Sequence, residues 1–198
     1  GEITVPAAPV NAALSALRTA RGRVRLGLKS PDYWMELDML EAVFGRQARY
    51  LFVLRDGRDV ALSNFQVSWG QRNAHASARR WVRMLEAVES FSSRIDPDRL
   101  LTLRYEDILT EPEPAIATLE RFLGAPLAPE RRTQLLATMA ANPRRDNFGK
   151  WKQKMSADEL RAFESVAARQ LATHGYEVVN PAASVSVLEV ARFSVEET

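Results

Sequence analysis

Arg55 ends the apolar run Tyr50–Leu54 and is followed at once by Asp56, Gly57, Arg58 and Asp59, with a serine at position 63. A guanidinium at the mouth of a strand-to-helix turn, with a hydroxyl on the same helix, suits the holding of a phosphate. The helix start offers free N–H groups and a partial positive charge. Leu51–Leu54 is continuously apolar, as expected of a strand covered on both faces. Asp56 stands where an N-cap belongs, with Asp59 as its capping-box partner, and Val60, Ala61 and Leu62 begin the helix's apolar face. The same residues, on shape alone, also describe a surface arginine on an ordinary turn.

A second basic element lies at 143–152, where Arg144, Arg145, Lys150 and Lys152 stand in a loop with Gly149, Phe148 and Trp151. A loop can fold over a ligand and deliver cations to it, and Gly149 allows close backbone approach. A solvated basic loop is the plainer alternative. His75 and His174 read as structural, and no carboxylate or histidine pair has metal-ligand spacing. Trp34, Trp69 and Trp81 read as core or pocket wall. Glu106 and Asp107 suit a helix cap or a pair with Arg104, and neither is assigned chemistry.

These residues need elements to position them, and the pattern alternates strand and helix. Helices are predicted over Val10–Ala20, Tyr33–Phe44 and Ala76–Phe91, the last with Trp81, Leu85, Val88 and Phe91 on one face. Short strands are predicted at Val24–Leu28 and Leu100–Arg104. Thr110 with Glu113, and Ser156 with Glu159, spell capping boxes for two more helices, stopped by Gly124 and Gly175. Ile116, Leu119 and Phe122 face inward on the first; Leu160, Phe163, Ala167 and Leu171 do so on the second. The tail after Pro181 suits an edge strand or a partner contact. Alternation implies a parallel sheet with helices on both faces and ligands beyond the carboxyl ends of the strands. Lys29, Arg55 and Tyr105 fall at such ends.

Composition bounds the function. The 198 residues make one domain with room for a substantial core. Twenty-seven basic residues against 25 acidic leave a net charge of +2, too balanced for coating nucleic acid. No apolar run approaches the roughly 18 residues of a membrane span. The absence of cysteine excludes disulfides, thiolate metal sites and a cysteine nucleophile, and fits a cytoplasmic setting. A homo-oligomer is compatible with all of this.

Four segments in order resemble the PAPS-dependent sulfotransferases, over roughly residues 24–178. Arg55-Asp-Gly-Arg-Asp-Val-Ala-Leu-Ser63 is similar to that family's 3′-phosphate segment, Leu28-Lys-Ser-Pro31 to its K-x-P, Leu103–Ile108 to its R-Y-E-D-L and Asn147–Lys152 to its G-x-W-K. The resemblance implies a P-loop NTPase-like three-layer fold with a parallel sheet flanked by helices. It also implies PAPS as donor and PAP as product; the residues themselves imply no metal. By resemblance Arg55 and Ser63 hold the 3′-phosphate, with Arg144, Arg145, Gly149 and Lys152 closing over it. Tyr105 approaches the adenine, where a ring can stack on a base, and Lys29 acts near the transferred group. Asp146 departs from the pattern, since many members have Gly there.

The family's Gly-rich phosphosulfate loop has no counterpart before Lys29, so the sequence is expected to be an N-terminally incomplete sulfotransferase domain. A relative that binds nucleotide or a partner without transfer is the alternative. A P-loop kinase-like phosphotransferase is disfavoured, because no G-x-x-x-x-G-K-[ST] occurs. The expected acceptor is a hydroxyl or amine whose class the residues leave open.

Overall fold

The computed structural model describes residues 7–67, 73–142 and 146–181. It divides into two compact units, Gly1–Tyr50 with Ala87–Leu100, and Leu51–Glu86 with Leu101–Thr198.

In the first unit, helix α1 (Ala7–Ala20) lies against α2 (Leu37–Phe44). The Asn11 side-chain amide donates to the Val43 carbonyl between them. The helix predicted over Tyr33–Phe44 is divided. A 3-10 turn at Tyr33–Met35 ends at Glu36, whose φ of −123° and ψ of 20° break the helical path before α2. Arg99 organises the far side of this unit. It is buried and grips the Glu41 carboxylate with both Nη atoms, at 2.8 and 2.6 Å, while also donating to the Gly45 and Ala48 carbonyls. Tyr50 donates to the same carboxylate at 2.9 Å and meets Phe91 edge-on. The predicted strand Val24–Leu28 does not form: the segment is irregular, with Val24 84% and Leu28 48% exposed. A strand needs a paired neighbour for its backbone groups, and among the described residues none pairs there.

The second unit holds all but the first residue of each of the strands β1 (Tyr50–Leu54) and β2 (Leu100–Arg104), which form a two-stranded parallel sheet. Between them in sequence come α3 (Gly57–Asn64) and α4 (Ala74–Ser92); after β2 come α5 (Tyr105–Thr110) and α6 (Pro112–Leu123). The chain continues through α7 (Pro129–Ala140), a single turn α8 (Trp151–Lys154) and α9 (Ala157–Thr173). Leu54, Ala61, Ala78, Trp81, Leu85, Phe163, Ala167 and Leu171 form the core. The expectation that β1 is covered on both faces is corrected. Phe52 and Leu54 point to the core, whereas Leu51 and Val53 on the opposite face are 46% and 44% exposed. Successive strand residues face opposite sides, and among the described residues the apolar helix faces pack on one side only.

The caps divide likewise. Ser156 and Glu159 form a complete reciprocal capping box, and Gly124 and Gly175 end their helices at positive φ. The box predicted at Thr110 and Glu113 is absent, because α5 runs through Thr110, whose hydroxyl donates back to the Glu106 carbonyl. Glu111 then occupies the N-cap position of α6, with Pro112 in its first turn. Gly57 is glycine for lack of room: a Cβ there would lie 2.5 Å from the Trp81 ring and 2.7 Å from Phe163.

Candidate functional site

Arg55 and Tyr105 directly follow β1 and β2, so both sit at carboxyl ends of the sheet. The Arg55 guanidinium lies 4.8 Å above the Tyr105 ring centroid, and its Nη2 donates to the Asn147 carbonyl at 2.8 Å. The Arg55 Nε–H is buried and has no acceptor among the described residues. Such a donor costs about 1–3 kcal/mol if left unsatisfied; among the described residues Ser77 Oγ and Arg104 Nε are buried without a partner in the same way.

The start of α3 is closed rather than open. Asp56, Gly57, Arg58 and Asp59 are all buried. Asp56 does cap the helix, its Oδ1 accepting the Arg58 N–H at 2.9 Å. The capping box is not completed by Asp59. The Asp56 N–H donates instead to Glu106 Oε1 at 3.0 Å, and Asp59 accepts from the Gly149 N–H at 2.6 Å and the Trp151 N–H at 3.0 Å. Sequence proximity suggested a local partner for Asp59; its partners are about ninety residues away. The helix N–H groups at this turn are thus enclosed, while Arg55 beside them is half-buried.

Arg58 anchors this region. It is wholly buried, takes both Asp56 oxygens through Nε and Nη2, donates from Nη1 to Glu164 at 2.8 Å, and stacks 3.5 Å from the Trp151 ring centroid. Glu164 also accepts the Val179 N–H and the Asn180 backbone and side-chain N–H groups. Glu106 is neither a cap nor a partner of Arg104; its second oxygen accepts from the Tyr176 hydroxyl at 3.1 Å. Burial, then the nearby Glu106 charge, pushes the Tyr176 phenol well above its usual range. The sequence reading missed Arg58, Asp59 and Glu164 as site supports. For Arg58 and Asp59 the signal was a dense charge cluster opening a helix; Glu164 stands apart, inside α9.

The remaining predicted residues are dispersed. Ser63 is exposed on α3, six residues beyond Gly57 and so about 9 Å along the axis. Its Oγ donates to the Asp59 carbonyl at 3.0 Å, so serving a ligand requires the hydroxyl to swing away. Gly149 has φ +66°, and its N–H is held by Asp59. Lys152 is exposed and pairs with Glu177 at 2.6 Å, which lowers the Glu177 pKa. Arg144, Arg145, Trp69 and the tail beyond Pro181 lie outside the described residues. Lys29 belongs to the first unit, exposed, and follows no strand, which corrects its expected place at a strand end. Among the described residues, no group of three or more His, Cys, Asp or Glu side chains could hold a metal, and no helix is long and apolar enough to cross a membrane.

Two parallel strands, each leading at its carboxyl end into a helix, define an α/β protein. The sequence model of the sulfotransferase family matches residues 5–129, more than half of the chain, and the chain belongs to that family. Carbohydrate sulfotransferase 3 of Tetronarce californica is 29% identical over 112 residues, covering 48% of this chain and 25% of that protein. The chain thus matches about a quarter of that relative's length. Among solved structures, the sulfotransferase domain from the curacin biosynthetic pathway superposes with a TM-score of 0.65 at 20% identity, covering 85% of this chain and 69% of the other. That likeness is one of fold.

Proposed function

We propose that this protein transfers a sulfuryl group from PAPS to a hydroxyl or amine acceptor, and that the Arg55 guanidinium recognises the 3′-phosphate of the nucleotide. Family membership supports sulfuryl transfer in general. The observation that carries the finer reading is the Arg55 side chain, set between Tyr105 and Asn147 with its Nε–H left without an acceptor. A phosphate accepts from such a guanidinium through charge-assisted bonds.

When bound, PAPS supplies the sulfuryl group and leaves as PAP. The work of this chain is then positional and electrostatic. Arg55 fixes the ribose end, Ser63 adds a hydroxyl after leaving the Asp59 carbonyl, and Tyr105 backs the guanidinium while its ring edge borders the base. Arg144, Arg145 and Lys152 add cations to the same phosphate, Lys152 after exchanging Glu177 for it. Lys29 is assigned to the charge that develops as the sulfuryl group departs. The P-loop NTPase-like three-layer architecture belongs to this same proposal.

The test is thermal unfolding with PAP. At ligand about 100-fold above its dissociation constant, stabilisation of roughly 2.7 kcal/mol is expected. Arg55→Ala should lose most of it. A variant as responsive as the native protein would sink the assignment.

A further inference from the structure

We propose that Asp59 is a positioning residue for the nucleotide-phosphate site, an inference that rests on the reading of Arg55 above. It reaches the ligand through two intermediaries. Its two carboxylate oxygens separately receive the Gly149 and Trp151 N–H groups, at 2.6 and 3.0 Å, so both ends of that short stretch are fixed to the third residue of α3. Two residues before Gly149, the Asn147 carbonyl accepts from Arg55 Nη2. The guanidinium is thereby held by Asn147 on one side and the Tyr105 ring on another, which fixes the direction of its remaining N–H groups. Asp59 is 1% exposed, and each of its carboxylate oxygens receives one of these amides.

Gly149 makes the arrangement possible. Its φ of +66° turns the backbone so that its own N–H and that of Trp151, two residues on, reach one carboxylate. The stack of Trp151 on Arg58 holds the same stretch independently and buries the indole to 4% exposure. Loss of the Asp59 carboxylate therefore loosens the aim of Asn147 without expelling Trp151 from its seat.

The test uses the purified protein and Asp59→Asn. A carboxamide has one acceptor oxygen, so whichever way it turns, one of the two N–H groups faces an NH2. Amide hydrogen exchange at Gly149 or Trp151 should accelerate, while Phe163 and Leu171 in α9 keep their protection. PAP affinity should fall about tenfold, and affinity for AMP, which lacks the 3′-phosphate, should not change. A merely structural role would weaken both nucleotides alike and so overturn the proposal. If Asp59→Asn does not fold, Gly149→Ala strains the same stretch from the loop side and should give the same selective loss. PAP binding by the native protein with an unaltered Asp59→Asn variant would refute this inference alone; failure of the native protein to bind PAP would refute the reading beneath it as well.

Discussion

A guanidinium as deeply buried as that of Arg58 persists only if its donors are answered and its charge compensated. Asp56 and Glu164 supply that compensation, and Trp151 covers the flat face of the group. Arg58→Met keeps much of the volume but leaves two buried carboxylates without their cation. The expected loss is about 3–5 kcal/mol, read from urea unfolding; a loss under about 1 kcal/mol would mean the network carries no such role. Arg55 differs in kind. It is half-buried, its partners are a carbonyl and a ring, and its buried Nε–H has no acceptor among the described residues. Of these neighbouring arginines Arg58 holds the fold, and the proposed function gives Arg55 the ligand.

Among the elements, α3 and α9 have starts legible to the residue, at the caps Asp56 and Ser156, and in α9 the whole capping box holds. Ser156 accepts from the Glu159 N–H, and Glu159 returns to the Ser156 N–H at 2.7 Å. Ser156→Ala should cost about 0.5–2 kcal/mol, seen as a lower denaturation midpoint with an unchanged slope. The same four-residue pattern misled at Thr110, because α5 occupies it, and at Asp56, because Glu106 and the Gly149–Trp151 stretch arrive from elsewhere in the chain. A capping box is local chemistry and survives only where no distant group competes for its atoms. Helix α7 was not foreseen. Its N-cap is Ala128 rather than a polar residue, and its signals, Pro129 and Glu130 in the first turn, are weak without a cap.

At the scale of the molecule, stability should depend on pH from both sides. The Arg99 guanidinium holds the Glu41 carboxyl below its usual range. A depressed folded-state pKa adds stability that is present above the ordinary glutamate value and is lost as pH falls through the folded-state value. Glu41→Gln should therefore lower the melting temperature at neutral pH, with the two proteins converging in acid. A gap that persists unchanged in acid would contradict the assignment. Burial, and hydrogen bonds to Glu41 and Glu106, push the Tyr50 and Tyr176 phenols up. Their contribution is intact below the ordinary tyrosine value of about 10 and fades as pH climbs beyond it.

From the sequence alone came the α/β alternation, the strands before Arg55 and Tyr105, the helix faces around Trp81 and Phe163, the glycine stops, and the family resemblance later matched over residues 5–129. Those features depend on periodicity and on residues within a few positions of each other, which a linear reading captures. Only tertiary structure decided that Asp59 serves a loop ninety residues on, that Glu164 answers Arg58, that Gly57 is demanded by two aromatic rings, and that one side of β1 stays exposed. The reason is physical: a buried charge or a filled space is settled by whichever group arrives nearest in three dimensions, and sequence distance places no bound on which group that is.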